Sequence, residues 1–252
     1  MLEKIRVSIV TPAYNAAGTL MRAYDSVRSQ TFDNWEWIIV DDGSTDETLN
    51  MIEKLKNNDC RVKAIFHKRN EGAAKARNDG IACASGDYVA FLDADDIWMP
   101  QKLQKQLTFM IQSGHDFTCT AYEVILPRGN KTLYCPKTTQ ISYRSLLTSN
   151  CIGCLTIMYK KSSFPEFSMP LNAPKREDHA AWLSVTRGGT VIHCLNEALA
   201  VYYNLGNGVS SKKISMIKYQ YNVYRRCEGF SIIKSCFYLI VLMFNKLFRK
   251  GY

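Results

Sequence analysis

The sequence predicts an α/β fold, a mostly parallel sheet flanked by helices, with a helical appendage toward its C-terminal end. Three observations predict it. Short apolar runs of strand character alternate with segments of helical periodicity through the first half of the chain. The loops ending three of those runs hold the most distinctive polar residues. A chain of 252 residues, 46% apolar and 22% charged, also suffices for one large domain with a substantial core.

The elements follow in order. Residues 6–11 are a strand candidate, and 19–30 a helix with Leu20, Tyr24 and Val27 on one face. Residues 35–40 are a second strand ending at Asp41-Asp42-Gly43. Ser44 with Glu47 then reads as a capping box opening a helix to about Lys56. Residues 62–67 read as strand, 71–84 as a helix of small residues, and 88–92 as strand. Pro100 suits the first turn of a helix over 101–113, and 117–122 returns as strand. Residues 127–150 are polar and irregular, an expected insertion. Strands are expected at 155–159, 191–195 and 198–203, with a helix at 178–186. Ligands of such sheets sit beyond the carboxyl ends of the strands.

Composition narrows the function. The formal charge of +9 is uneven: residues 209–252 hold nine basic residues against Glu228 alone, so they contribute +8 and the rest only +1. Nucleic-acid-binding folds spread basic residues over their surface, so nucleic acid is not an expected partner. A basic, apolar tail points instead to an anionic membrane surface. Residues 230–248 are apolar but interrupted by Lys234, Asn245 and Lys246, and their uninterrupted run of nine is far below the roughly 20 residues of a span. As a helix, Ser231, Lys234, Ser235, Tyr238, Asn245, Lys246 and Arg249 share a face. That predicts either an interfacial helix whose basic residues meet lipid, or a helix packed on protein. The N-terminus has no signal-peptide pattern, so a cytoplasmic protein with mostly reduced cysteines is expected. Cys151-x-x-Cys154 has no second pair at zinc spacing, which favours small buried thiols over a metal or redox role.

Three strand-end loops matter: Thr11-Pro12-Ala13-Tyr14-Asn15, Asp41-Asp42-Gly43-Ser44 and Asp93-Ala94-Asp95-Asp96. There is no dinucleotide fingerprint and no Walker sequence, so no glycine-rich cradle holds phosphate. Three carboxylates in four residues repel one another, and Mg²⁺ or Mn²⁺, which take hard oxygen ligands, would relieve that and bind phosphate oxygens. A dipole-stabilised acidic cluster before a helix is the alternative.

The runs Val7–Asn15, Trp37–Asp46, Asn70–Asn78 and Gly86–Asp96, in this order and spacing over about residues 5–125, resemble family 2 glycosyltransferases. The resemblance implies a GT-A fold over residues 1–208, with a nucleotide-sugar donor half (1–125) and an acceptor half (126–208), followed by the helical segment 209–252. It implies a donor pocket lined by Pro12, Tyr14 and Asp42, with Asn70, Arg77, Asp93 and Ala94 beside it. Arg77 could touch base or phosphate, or pair with an acid. Asp93 and Asp95 match the DxD metal motif, Asp95 holding the ion most directly, while Asp96 caps the next helix or supports the shell. Glu177-Asp178 resembles the family's "ED" motif, implying Asp178 as general base, with Glu177 orienting it or contacting the acceptor.

The implied reaction transfers a sugar, with inversion, from a nucleotide diphosphate (uridine being the commonest base) to a saccharide or lipid-linked saccharide. His179, His193 and Trp182 could join a site or the core, and the core is favoured. The family's Tyr-Arg-x-His is replaced by Tyr202-Tyr203-Asn204-Leu205-Gly206, leaving 207–211 as a possible lid. A sugar nucleotidyltransferase lacks support because its basic glycine-rich loop is absent. A non-catalytic sugar-nucleotide or membrane-binding protein would not need both acidic motifs.

Overall fold

The computed structural model describes residues 4–127, 129–204 and 213–248. Strands β1 (Val7–Ala13), β2 (Trp35–Asp41), β3 (Val62–Phe66) and β4 (Tyr88–Phe91) alternate with helices α1 (Leu20–Arg28), α2 (Thr48–Asn58) and α3 (Ala73–Cys83). All four strands run parallel, in the order β3-β2-β1-β4. The chain moves outward from β1 through β2 to β3, then returns to β1's other side with β4. That reversal opens a crevice at the carboxyl ends of β1 and β4.

Both faces of β1, β2 and β4 are buried. Ile38 and Val40 of β2 point into one core cluster with Val10, Phe91 and Trp182. Trp37 and Ile39 point into the other with Ile9, Leu20 and Leu103. Helices on both faces account for the near-continuous apolar runs. Gly80 lets α3 lie directly on β1, because a Cβ there would stand 2.4 Å from Val10 Cγ1.

The second half completes the sheet. It contributes β5 (Ile97–Trp98), α4 (Lys102–Ser113), β6 (Phe117–Ile125), β7 (Lys131–Tyr134), β8 (Gln140–Ile141), α5 (Tyr143–Thr148), β9 (Met158–Lys160), α6 (Glu177–Arg187) and β10 (Ile192–Tyr203). The full order is β3-β2-β1-β4-β9-β6-β10-β5, with β7 on β6 and β8 on β10. β9 wedges antiparallel between β4 and β6, so the sheet is mixed in this half. The remaining helices are α7 (Lys213–Asn222), continued by a π turn at Val223–Cys227, and α8 (Ile232–Phe248).

Four expectations are corrected. The Ser44/Glu47 capping box does not form: the Ser44 hydroxyl accepts from Asn15 N (2.9 Å), while Asp46 Oδ1 takes Thr48 N (3.0 Å), and the helix starts at Thr48. Residues 127–150 are not irregular. They form β7, β8 and α5, the helix capped by Ser142 with Ser145 in the third position, a box without the usual Glu or Gln. Within 155–159, residues Cys154–Thr156 form a 3-10 turn and only Met158 onward is strand. The two strands expected at 191–195 and 198–203 are one strand, bent by register shifts between Leu195 and Val201.

Trp182 is fully buried and stacks on Phe167 (centroids 6.1 Å apart) within an aromatic cluster with Phe91 and Phe117, so it serves the core. His193 stacks on His115 at 3.5 Å. Cys151 and Cys154 are both buried in the core. The boundary expected at residue 208 and the lid at 207–211 lie outside the described residues.

Candidate functional site

The crevice is built by three loops and the start of one helix. The first two loops are stitched together. Asp42 N donates to Ala13 O (2.8 Å), Thr45 N to Asn15 Oδ1 (2.9 Å), and Ala16 N to Thr48 Oγ1 (2.7 Å). Asn15 holds φ +49°, a left-handed conformation that asparagine tolerates and that turns the chain back over β2. Tyr14 is left projecting at 49% exposure and Pro12 is half-buried beside it. This is a flat aromatic surface open to a ligand.

Asp42 is buried and fully engaged. Its Oδ1 accepts from Glu71 N (2.9 Å) and faces His67 Nδ1 (2.8 Å), and its Oδ2 accepts from Gly72 N (2.8 Å). His67 Nε2 reaches Asp79 Oδ2 at 2.9 Å, and Lys75 Nζ meets the same carboxylate. Burial would lower the His67 pKa, but the two flanking carboxylates raise it overall. Gly43, at φ +72°, passes so close to the next loop that a Cβ would stand 2.5 Å from Arg69 C and 2.8 Å from Asn70 N. Asn70 itself is exposed. Beside these residues lies an open cavity of about 530 Å³, lined by His67, Lys68, Arg69, Glu71, Lys75 and Asp79.

The acidic loop follows β4. Asp93 is partly buried, Ala94 buried, Asp95 exposed and Asp96 wholly buried. Asp96 does not cap α4, which starts six residues later. Its Oδ1 accepts from Tyr203 N (3.0 Å) and so ties the loop to the end of β10. Burial, with the charges of Asp93 and Asp95, pushes the Asp96 carboxyl well above the usual range. Desolvation and the Asp93 charge also raise Asp95. Arg22 of α1 buttresses the loop: its Nη2 donates to Asp95 O (2.6 Å) and its guanidinium lies 3.6 Å above the Tyr203 ring.

The fourth component arrives from 84 residues beyond Asp93. Glu177 and Asp178 occupy the first turn of α6, where the helix dipole favours carboxylates. Lys175, at φ +64°, sets the entry of the chain into that turn. Arg77, buried on α3, joins this helix to the acidic loop: its Nη2 donates to Asp93 Oδ1 (2.6 Å) and its Nη1 to Glu177 Oε1 (2.9 Å). The guanidinium is therefore spent on two carboxylates, the pairing with an acid that the sequence left open. Asp178 accepts from His179 N (2.6 Å) through Oδ1. Burial raises its pKa, opposed by Arg176 and Arg77 and assisted by Asp93. Glu177 is raised by burial and by Asp178, with Arg77 opposing. His179 faces away from the site. It is fully buried between Leu146 O (2.9 Å from Nε2) and the Gln220 amide (3.1 Å from Nδ1), and burial lowers its pKa to about 4.

Among the described residues, no three His, Cys, Asp or Glu side chains converge as a ready-made metal cage. What the loop offers is narrower: two hard carboxylates, Asp93 and Asp95, with Asp95 exposed and destabilised as an anion by its neighbour. This donor set fits a Mg²⁺- or Mn²⁺-sized ion completed by phosphate oxygens and water. Sequence reasoning missed Arg22, His67 and Asp79. None sits in a motif, and each acts by a contact 12 to 73 residues distant in sequence.

Residues 8–164 match the family profile described as Glycosyl transferase family 2. A Bacillus subtilis protein, TuaG, whose name places it in teichuronic acid biosynthesis, is 38% identical over 92% of this chain and 92% of its own length. The Escherichia coli enzyme WfgD, named as a UDP-Glc:α-D-GlcNAc-diphosphoundecaprenol β-1,3-glucosyltransferase, is 34% identical over 88% of this chain and 86% of its own. Among solved structures, Staphylococcus aureus TarS with UDP-GlcNAc superposes with a TM-score of 0.75 at 22% identity, covering 98% of this chain and 74% of that one. The mannosyltransferase PcManGT of Pyrobaculum calidifontis, with GDP-Man and Mn²⁺, gives 0.70 at 16% identity, covering 96% and 73%. Both structures share the fold.

Proposed function

The chain belongs to glycosyl transferase family 2, and from that premise we propose that it transfers a sugar, with inversion, from a nucleoside diphosphate to a hydroxyl of a lipid-linked saccharide. The observation that carries the reading is the Arg77 bridge, which gathers the acidic loop and the start of α6 into one crevice. Relatives named for UDP-glucose and a diphosphoundecaprenol-linked acceptor support a uridine donor and a lipid-linked acceptor. Such an acceptor suits a peripheral position on the inner face of the cytoplasmic membrane and a part in cell-envelope polysaccharide assembly.

The residues have separable tasks. Tyr14 offers the base a flat face, with Pro12 beside it. Asp42 fixes the loop carrying Asn70 and Glu71 by accepting the Glu71 and Gly72 N–H groups, and His67 holds the Asp42 carboxylate in place. A divalent ion on Asp93 and Asp95 would neutralise charge on the departing diphosphate. Asp178 takes the proton of the acceptor hydroxyl as its oxygen attacks the anomeric carbon, and the bond to the diphosphate breaks on the opposite side. Its raised pKa suits it to hold that proton. Glu177, pinned by Arg77, keeps the first turn of α6 aimed at the donor.

Calorimetric titration with UDP, GDP and dTDP, in Mn²⁺ and in EDTA, tests the donor side. Metal-dependent binding of one nucleotide, abolished by Asp95→Ala, is expected. Absence of nucleotide binding under every metal condition would remove the enzyme reading.

A further inference from the structure

Helix α8 is amphipathic, but it is mounted with its polar side inward. Ser235 is wholly buried, and Asn245 Nδ2 donates to Thr148 O of α5 (3.0 Å). Tyr238 packs against Tyr224 and Phe230 (centroids 6.0 and 5.5 Å), and Leu239 and Leu242 meet the main core. The opposite side carries Ile233, Phe237, Ile240 and Phe244, exposed by 84, 58, 66 and 57%. The spacing i, i+4, i+7, i+11 makes these residues one continuous ridge. Of the face that the sequence offered to lipid, Ser235, Tyr238 and Asn245 are therefore turned toward the protein, which corrects the expected orientation.

Charge identifies the occupant. The exposed cations of the described C-terminal segment are Lys218, Arg226, Lys234 and Lys246, the last two on α8 itself. The segment's single acid, Glu228, is turned wholly inward, paired with Arg187 (2.6 Å) and with the Tyr143 hydroxyl. The exposed charge of the segment that carries the ridge is thus positive, with no acid of its own to balance it. A second copy docked there would bring two such surfaces together at a Coulombic cost, whereas an anionic bilayer supplies both the apolar medium and the counter-charge. No described helix is long and apolar enough to cross a membrane, and the 17 residues of α8 span only about 25 Å at 1.5 Å per residue. The helix therefore lies in the plane of the surface.

We infer that α8 is the membrane-docking element of this enzyme, its ridge Ile233, Phe237, Ile240 and Phe244 entering the headgroup boundary of an anionic bilayer while its polar side is fixed to the acceptor half. This rests on the proposed lipid-linked acceptor for its purpose, though not for its geometry. The mounting has a consequence for catalysis. α8 holds α5 through Asn245, and α5 accepts from His179 through Leu146 O, so the helix bearing Asp178 stands one layer above the membrane. Docking would present the acceptor cleft, rather than the donor half, to a saccharide emerging from the bilayer.

The test is co-sedimentation of the full-length protein with phosphatidylglycerol–phosphatidylcholine vesicles and with phosphatidylcholine alone, for wild type, Phe237→Ser/Ile240→Ser and Arg226→Gln/Lys234→Gln. Wild type is expected to bind the anionic vesicles. The apolar double variant should lose partitioning by about tenfold or more, from the lost apolar burial alone. The charge double variant should weaken binding and flatten its salt dependence. Unaltered partitioning in the apolar variant, or no vesicle binding by wild type, overturns the inference. So does a dimer that the apolar substitutions convert to monomer without affecting vesicle binding. Nucleotide binding measured in parallel keeps the two readings apart: if no nucleotide binds while vesicle binding behaves as expected, the donor chemistry fails and the docking element stands. A thermal melt of each variant confirms that these exposed substitutions leave the fold intact.

Discussion

Replacing Arg77 with Met removes the one cation that joins Asp93 to Glu177 and leaves the shape of the site nearly unaltered. The geometry sets the size of the effect. Arg77 and Glu177 side chains are 7 and 11% exposed and their atoms are 2.9 Å apart, while the Asp93 contact is 2.6 Å with Asp93 26% exposed. Glu177 would be left as a nearly buried carboxylate with no counter-charge, next in sequence to Asp178, whose own charge disfavours it. Removing one partner of a buried pair costs roughly 3–5 kcal/mol. For a chain of this length that corresponds to a fall in Tm of roughly 6–20 °C. Thermal unfolding and sugar-nucleotide turnover are measured together. Arg77→Lys should recover part of the stability but little turnover, because a single ammonium cannot span both carboxylates. Adding Glu177→Gln to Arg77→Met should restore roughly 1–3 kcal/mol, the coupling expected of residues in contact. A melting temperature unaltered in Arg77→Met, or strict additivity in the double variant, would refute the bridge as the element that unites the two halves.

Four further outcomes follow from individual contacts. Asp178→Asn should keep nucleotide affinity and lose roughly 10²–10⁴ of turnover, the usual contribution of a positioned general base. Because burial raises the Asp178 pKa, the acid limb of the wild-type pH–rate profile should lie above the ordinary carboxylate range, with turnover rising as pH increases through it. His179 is held neutral with a folded pKa of about 4, below its ordinary 6.5, so the unfolded chain takes up its proton first as pH falls. Stability should accordingly drop by roughly 3 kcal/mol between pH 6.5 and 4, a dependence that urea titration finds weakened in His179→Gln. Gly43→Ala should cost roughly 1–3 kcal/mol from the positive φ and displace the Arg69–Asn70 backbone, lowering nucleotide affinity in calorimetry. Normal affinity would exclude that loop contact from the donor pocket.

Local patterns in the chain determined the alternating strands, the parallel first half of the sheet and the three strand-end loops. Short apolar runs and helical periodicity are properties of neighbouring residues, and the motifs Asp41–Ser44, Asp93–Asp96 and Glu177-Asp178 are contiguous. Tertiary structure alone decided what those residues touch. Asp46 displaced the Ser44 capping box because Ser44 was needed by Asn15, 29 residues away. β7 and β8 formed in a polar stretch because β6 and β10 offered unpaired edges to it, and edge pairing is set by the partner strand rather than by local propensity. The role of Arg77 depends on a partner 100 residues distant. The periodicity of α8 identified an amphipathic helix but not its outward side, since a helix can bury a polar face when Thr148 O and an aromatic cluster await it. A sequence fixes its neighbours along the chain; which distant groups satisfy a buried charge or an unmade hydrogen bond is settled only when the chain has closed around them.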